Sequence, residues 1–418
     1  MIGYVFNSIG FGLGDLLLFV ISLLAGAWVV RTWRRGTRSR ALRLVTMVVM
    51  LLTFVPFLML GLAFLAANNN APAAIPAQST SGLQEMAMNM GASINTQFRE
   101  TEPTFTADGR TMYFNCHNAD ICVSHLIGTW EEGKWTTPER LAAPISTGYF
   151  EVEPLINTAG DKLYFQSNRP ARRLQGNPLF SPFVTSSFFV VNYLAETKLG
   201  VNLFDGFGLA DVWVSYKVNG VWSEPQNLND VPGEPPVNTA FHDHCLSFSA
   251  DGNEAFWTST RPGGFGGNDI WTSRRVEGKW TPPENLGPNV NGPGDEHHSI
   301  PTPDGKSLYV TTVRDGGYGG EDNYITTRDA EGKWGLLVNL GSLINGPGDD
   351  RCPAWTPDFE MFLFDSTRGA GVGGRDIWWV NFEDVMGYPR DSTFTPAAMP
   401  QVSNNIVPRI TFAGGHTP

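Results

Sequence analysis

The sequence predicts an all-β fold: a five-bladed β-propeller closed by its own N-terminal strand and preceded by a transmembrane α-helical hairpin. Three observations predict it. A unit of four short strand-like runs recurs along residues 83–385. The last copy lacks its fourth run, and a matching segment stands before the first copy. Two apolar runs separated by six arginines occupy the N-terminal end.

The clearest copy spans Asp243 to Glu296. It holds Phe248-Ser249-Ala250-Asp251-Gly252, then Arg261-Pro262-Gly263-Gly264-Phe265-Gly266-Gly267, Asp269-Ile270-Trp271, Glu277-Gly278-Lys279-Trp280 and Asn285-Leu286-Gly287. The next copy gives Thr302-Pro303-Asp304-Gly305, Arg314-Asp315-Gly316-Gly317-Tyr318-Gly319-Gly320, Asp322, Glu331-Gly332-Lys333-Trp334 and Asn339-Leu340-Gly341. Taking the turn glycine as a marker gives Gly109, Gly160, Gly252 and Gly305, with Phe359 in that place in the last copy; the intervals are 51, 92, 53 and 54 residues.

Alternation, β-branched and aromatic content make the runs strands, and Gly/Pro clusters make the joints turns. The fourth strand of each unit is expected to run from the Trp to Asn-Leu-Gly. Four-stranded units at this spacing are propeller blades. The fifth copy stops at Asp376-Ile377-Trp378-Trp379, while Asn89-Met90-Gly91-Ala92-Ser93-Ile94-Asn95 matches Asn339-Leu340-Gly341-Ser342-Leu343-Ile344-Asn345. Residues 83–91 are therefore expected to complete the last blade and remove its exposed edge.

One interval is long because of an insertion. The Arg-to-Asp spacing is eight residues in three copies (Arg261 to Asp269, Arg314 to Asp322, Arg368 to Asp376) but 42 from Arg169 to Asp211. Residues of about 171–205 are the excess, an apolar excursion carrying Phe180, Phe183, Phe188, Phe189, Tyr193, Leu194 and Phe204. Such a segment either folds on its own blade or binds something, a protein or the bilayer. Docking of a partner is the expectation.

Residues 1–67 are expected to form the hairpin, with helices over about 13–30 and 44–67, each long enough to cross the hydrocarbon layer. Arg31, Arg34, Arg35, Arg38, Arg40 and Arg43 lie between them, which places that loop in the cytoplasm and the propeller on the far side. Residues 68–82 read as a linker and 386–418 as an extended tail. The chain's net charge of −12 hides an asymmetry: residues 1–70 carry +5, leaving −17 for the rest. An acidic domain repels nucleic-acid backbones, so nucleic acid is excluded as a partner.

The Pro-x-Phe-x-x-Asp-Gly, Leu-Tyr-Phe, Arg-x-Gly-Gly-x-Gly-Gly-x-Asp-Ile-Trp and Gly-Lys-Trp elements resemble the PD40 (WD40-like) β-propeller repeats of the TolB-like superfamily and of bacterial envelope proteins. The likeness covers residues 84–382. It implies a propeller. It does not imply one activity. The apolar runs and the arginine loop, not the resemblance, give the expected setting: the bacterial cytoplasmic membrane, with both termini and the propeller on the periplasmic or extracellular side.

Candidate chemistry gathers near the axis. Nine positions before the marker stand Glu100, Glu151, Asp243, Glu296 and Asp350, an acid in every copy where the chain enters the innermost strand. They are expected to ring one mouth of the channel and, being common to all copies, to serve the structure through backbone N–H groups or repeat arginines. Two positions on, the copies differ: Glu102, Glu153, Cys245, His298 and Cys352. With His242, His244 and His297 nearby, Cys245, His298 and Cys352 could hold a transition metal, or the channel could be a polar lining bridged by water. No other cofactor is expected.

Cys116 and Cys122 either bridge a hairpin or are small core residues. The recurring Trp135, Trp222, Trp280 and Trp334 read as packing, and no Gly-x-Ser-x-Gly elbow occurs. A glycosidase pair should break the repeat symmetry, which the ring of acids does not. No catalytic residue is assigned. The expected role is a non-enzymatic scaffold or accessory subunit bound to membrane protein subunits of a larger complex, an energy-transducing one included. The alternatives are a solitary envelope glycan-binding or sensor module, and a glycoside hydrolase.

Overall fold

Alternating apolar residues in the repeat make strands that bury one face on each neighbouring blade, and the computed structural model shows how they close. It describes residues 87–117, 120–130, 132–170, 210–369 and 371–381. The hairpin, the linker, the insertion and the tail lie outside these residues. Among the described residues no helix is long and apolar enough to cross a membrane. Leu228–Asp230, a single 3-10 turn, is the helical element among them.

Blade 1 comprises β2 (Thr101–Phe105), β3 (Thr111–Cys116), β4 (Asp120–His125) and β5 (Glu139–Arg140). Blade 2 comprises β6 (Glu151–Ile156), β7 (Lys162–Ser167), β8 (Asp211–Val218), β9 (Val221–Trp222) and β10 (Gln226–Asn227). Blade 3 holds β11 (Asp243–Phe248), β12 (Glu254–Ser259), β13 (Asp269–Val276), β14 (Lys279–Trp280) and β15 (Glu284–Asn285). Blade 4 holds β16 (Glu296–Pro301), β17 (Ser307–Thr312), β18 (Asp322–Thr327) and β19 (Val338–Asn339). Blade 5 is β20 (Asp350–Trp355), β21 (Met361–Ser366) and β22 (Asp376–Asn381), completed by β1 (Met88–Asn89). Within each blade the strands pair antiparallel from the inside outward.

The closing strand stands where the repeat match places it. Met88 pairs with Trp379 and Asn89 with Trp378. Around the axis, β2 packs on β6, β6 on β11, β11 on β16, β16 on β20, and β20 back on β2. Five apolar cores follow, one at each junction between blades. The core joining blade 5 to blade 1 contains Leu363 and Ile377 together with Phe105, Phe114 and Trp135. The recurring tryptophans fill these junctions, Trp222 against blade 1, Trp280 against blade 2 and Trp334 against blade 3.

One expectation needs correction. The fourth strand is broken into short pieces rather than continuous, as with β14 and β15 on either side of Pro282 and Pro283. Proline has no N–H for the ladder, and Pro138 and Pro225 mark the same interruption in blades 1 and 2. The Gly-Gly-x-Gly-Gly loops use their glycines less for positive φ than for close approach. A Cβ on Gly266 would overlap the carbonyls of Gly292 and Gly294 in the next blade, and one on Gly319 those of Gly346 and Gly348.

Candidate functional site

Every innermost strand carries the same irregularity two residues after its ring acid. The pairing with the second strand shifts between Thr101 and Thr104, Val152 and Leu155, His244 and Ser247, His297 and Ile300, and Arg351 and Ala354. A bulge re-aims a side chain. The residue that turns out of register is left-handed each time: Glu102 (φ 58°), Glu153 (55°), Cys245 (53°), His298 (48°) and Cys352 (54°). Five non-glycine residues in this region, one per blade, are unusual.

Their side chains meet across the axis. His298 Nε2 of blade 4 lies 3.1 Å from Glu102 Oε1 of blade 1 and 3.9 Å from Glu153 Oε1 of blade 2, neither of which is a neighbouring blade. Cys352 Sγ is 3.7 Å from Glu102 Oε1. His244 Nδ1 is 3.1 Å from Glu153 Oε1, and the Cys245 N–H donates to Glu153 Oε2 at 2.6 Å. Two donor trios result, Glu102–His298–Cys352 and Glu153–His244–Cys245, each with its ligand atoms within 4.8 Å of one another.

The remaining predicted ligands belong to neither trio but back them: His297 Nδ1 meets His298 Nδ1, and His242 lies against His244. His242 stacks on His244 at 4.3 Å and meets Gln166 through Nε2 at 3.3 Å, while His297 Nε2 binds Glu321 Oε1 at 2.7 Å.

A second set of residues, not among the predicted ones, supports the ring. Asn115 donates to Glu102 and accepts from the Glu153 N–H at 2.9 Å, and Thr311 Oγ1 accepts from the Cys352 N–H at 3.2 Å. Arg351 bridges Asp365 (3.2 Å) and Glu321 (3.5 Å), and Arg375 joins Asp365 (2.9 Å) to Asp349 (2.8 Å). Asn115, Gln166, Thr311 and Asp365 share one position near the end of their second strands where the copies differ. Variation inside an otherwise uniform repeat was the available signal.

The electrostatics split the two glutamates. Burial, reinforced by the charge of Glu153, pushes Glu102 up to about 8. Burial also works against Glu153, but the charge and hydrogen bond of His244, then His298, hold it well below the usual carboxylate range. His244 is pulled down by burial and more than restored by Glu153. Burial, then the nearby His297, drives His298 far below its ordinary value, and burial raises both Cys245 and Cys352. A neutral acid beside an ionised one, next to imidazoles and thiols, can bind a cation or pass a proton.

The ring acids have a different job. Glu100, Glu151, Asp243, Glu296 and Asp350 are buried rather than facing an open mouth. Each accepts the N–H of the residue four before it, from Thr96, Thr147, Thr239, Gly292 and Gly346. Four also meet an arginine of their own blade: Arg169 (2.9 Å), Arg261 (2.7 Å), Arg314 (3.4 Å) and Arg368 (2.7 Å). They tie the entering loop to the blade. Cys116 and Cys122 form a disulfide across β3 and β4. Phe180, Phe183, Phe188, Phe189, Tyr193, Leu194 and Phe204 lie outside the described residues.

No family model matches the chain, and no curated protein matches it. Solved structures similar to it include an α-L-arabinofuranosidase from Lactobacillus brevis (13% identity, 72% of this chain and 93% of that one, TM-score 0.42). Another is a protein described as TolB from Agrobacterium tumefaciens (14%, 67% and 76%, 0.38). A third is the α-L-arabinofuranosidase PaAbf62A from Podospora anserina (11%, 74% and 94%, 0.38). Likenesses at these scores carry no argument about activity. The propeller stands on the five sheets themselves.

Proposed function

We propose that the protein is a binding propeller, a membrane-anchored scaffold or accessory subunit on the outer side of a bacterial membrane, and that the insertion after β7 is its docking element. The observation that carries this reading is the join between blade and insertion. β7 and β8 pair without interruption from Lys162↔Tyr216 to Ser167↔Asp211, so the blade is intact and the extra chain is an addition. The corresponding connectors 260–268, 313–321 and 367–375 are nine residues each.

The exit from β7 is anchored by Arg169. Arg169 is buried and donates to Pro144 O (3.2 Å), Ile145 O (2.6 Å) and Glu151. Beside it opens a cleft lined by Ala143, Pro144, Thr147, Tyr149, Arg169 and Glu224. An anchored stem carrying five phenylalanines and a tyrosine suits a surface that another protein covers. The ring acids, bound to backbone and arginine, are not left over for glycosidic chemistry.

Purification of the full chain in mild detergent tests this. Membrane subunits are expected to co-purify and to be lost when Phe188→Asp and Phe189→Asp are combined, with the thermal melt of the propeller unchanged. A monodisperse lone monomer in both preparations would sink the proposal.

A further inference from the structure

The geometry points to a transition-metal site of the zinc class on the propeller axis, with Glu102, His298 and Cys352 as ligands and Glu153 in reach as the fourth. Nothing in the docking role requires it.

The hydrogen-bond chain behind His298 sets its tautomer. Glu321 accepts a hydrogen bond from His297 Nε2–H, since the two atoms are 2.7 Å apart and a carboxylate has no proton to give. In the tautomer with the proton on Nε2, His297 Nδ1 is an acceptor, and it faces His298 Nδ1, which then donates. In the neutral ring His298 Nε2 is left with a bare lone pair. That lone pair points at Glu102 Oε1, 3.1 Å away, with Glu153 Oε1 at 3.9 Å. A carboxylate–histidine–histidine chain of this kind orients a ligand imidazole as outer-shell carboxylates do. A group of inward-facing acceptors is held together by a proton or by a cation.

Distances select the ion class and the trio. Metal bonds of about 2.0 Å to N and O and about 2.3 Å to S, at tetrahedral angles, give N···O edges of about 3.3 Å and S···O edges of about 3.5 Å. The observed separations are 3.1 Å for His298 to Glu102 and 3.7 Å for Cys352 to Glu102. In the other trio, His244 Nδ1 to Cys245 Sγ is 2.9 Å, shorter than the N···S edge of about 3.5 Å that such an ion needs. His244 is also held through Nε2 by Asn268 at 3.3 Å. Thiolate and imidazole donors select borderline and soft ions over calcium or magnesium.

The cysteines agree with this. Cys116 and Cys122 are bridged, whereas Cys245 and Cys352 stay free and buried in the same chain. The ligands come from blades 1, 4 and 5, with Glu153 from blade 2, so an ion there would pin the ring at its centre.

The test uses the full chain in mild detergent, free of oxygen and without added thiol so that the Cys116–Cys122 bridge stays closed, with Co²⁺ or Zn²⁺ alone as the probe. Near-stoichiometric uptake is expected, with a thiolate-to-cobalt charge-transfer band and a rise in melting temperature on adding Zn²⁺. Cys352→Ser should abolish the band and weaken uptake by about 100-fold or more, beyond what loss of an outer partner causes. Cys245→Ser should keep both. His298→Asn, a residue that tolerates the left-handed backbone, should weaken uptake while folding normally. Absence of uptake by the wild-type chain overturns the site. So does uptake that survives Cys352→Ser and His298→Asn, or a band that only Cys245→Ser removes.

Discussion

Phe359 sits at φ +60° in the turn where the other four blades place Gly109, Gly160, Gly252 and Gly305, all left-handed. A side chain in this conformation costs about 1–2 kcal/mol. Phe359 recovers part of it by a tilted contact with Trp355 at 5.7 Å, of a kind worth about 0.5–1.5 kcal/mol. Phe359→Ala keeps the backbone cost and loses the ring, so it should destabilise by about 1 kcal/mol. Phe359→Gly removes the cost and gives back about 0.4–1 kcal/mol through the freer unfolded chain, so it should come out near neutral. Denaturant melts decide it: the expected order is glycine above alanine, and the reverse order would disprove a strained turn. This anomaly was legible in the sequence because the repeat supplies its own reference residue. The five left-handed channel residues were legible only as positions. Strand alternation puts Glu102 and Glu100 on one face, and no pattern of residue types announces that a bulge intervenes and turns Glu102 inward.

At the scale of the element, the aspartate that opens each third strand explains why the repeat has the form Gly-Gly-x-Gly-Gly-x-Asp. Asp269 accepts the Phe265 N–H at 2.7 Å and Asp322 the Tyr318 N–H at 2.6 Å, and Asn285 and Asn339 of the outermost strand donate to the same Oδ2 atoms. One carboxylate therefore joins loop, third strand and fourth strand. The loop must be glycine-rich for its backbone to reach both this carboxylate and the next blade. That element was readable from the sequence as a turn, but its contact with the following blade was not, because a glycine's missing Cβ says nothing about what fills the space. Burial raises Asp269 and Asp322 to about 6 despite those donors. The folded value lies above the unfolded one, so the fold holds this proton more tightly. The contribution is complete below the unfolded pKa of 3.8 and is lost as pH rises through about 6. Asp269→Asn should therefore destabilise the chain most in acid. Its cost relative to wild type should shrink by up to about 3 kcal/mol between about pH 4 and pH 7.5. Melting both proteins across that range checks the slope, and a pH-independent difference would mean that Asp269 stays ionised throughout.

For the whole molecule, the question is what keeps a ring of five blades shut when its ends come from opposite ends of the domain. β1 is two residues long, too short to hold by its ladder alone. The clamp is Asn95, fully buried, which donates to Ile377 O at 2.9 Å and Asn89 Oδ1 at 2.8 Å and accepts the Ile377 N–H at 2.9 Å. Asn291 makes the same three bonds to Ile270 and Asn285, but within one stretch of chain. The two residues are thus chemically matched and topologically different. Replacing either by alanine strands the N–H of a buried strand and should cost about 2–3 kcal/mol. Only Asn95→Ala also loosens the join between the first and last segments of the ring. Amide hydrogen exchange in β22 should then rise sharply in Asn95→Ala, whereas Asn291→Ala should speed exchange in β13 and leave β22 protected. Equal protection of β22 in both variants would shift the closing role from this clamp to the apolar junction of Met90, Ile94 and Ile377 with blade 1. An Asn95→Ala protein within about 0.5 kcal/mol of wild type, the range of an ordinary surface change, would deny the clamp any part in closure.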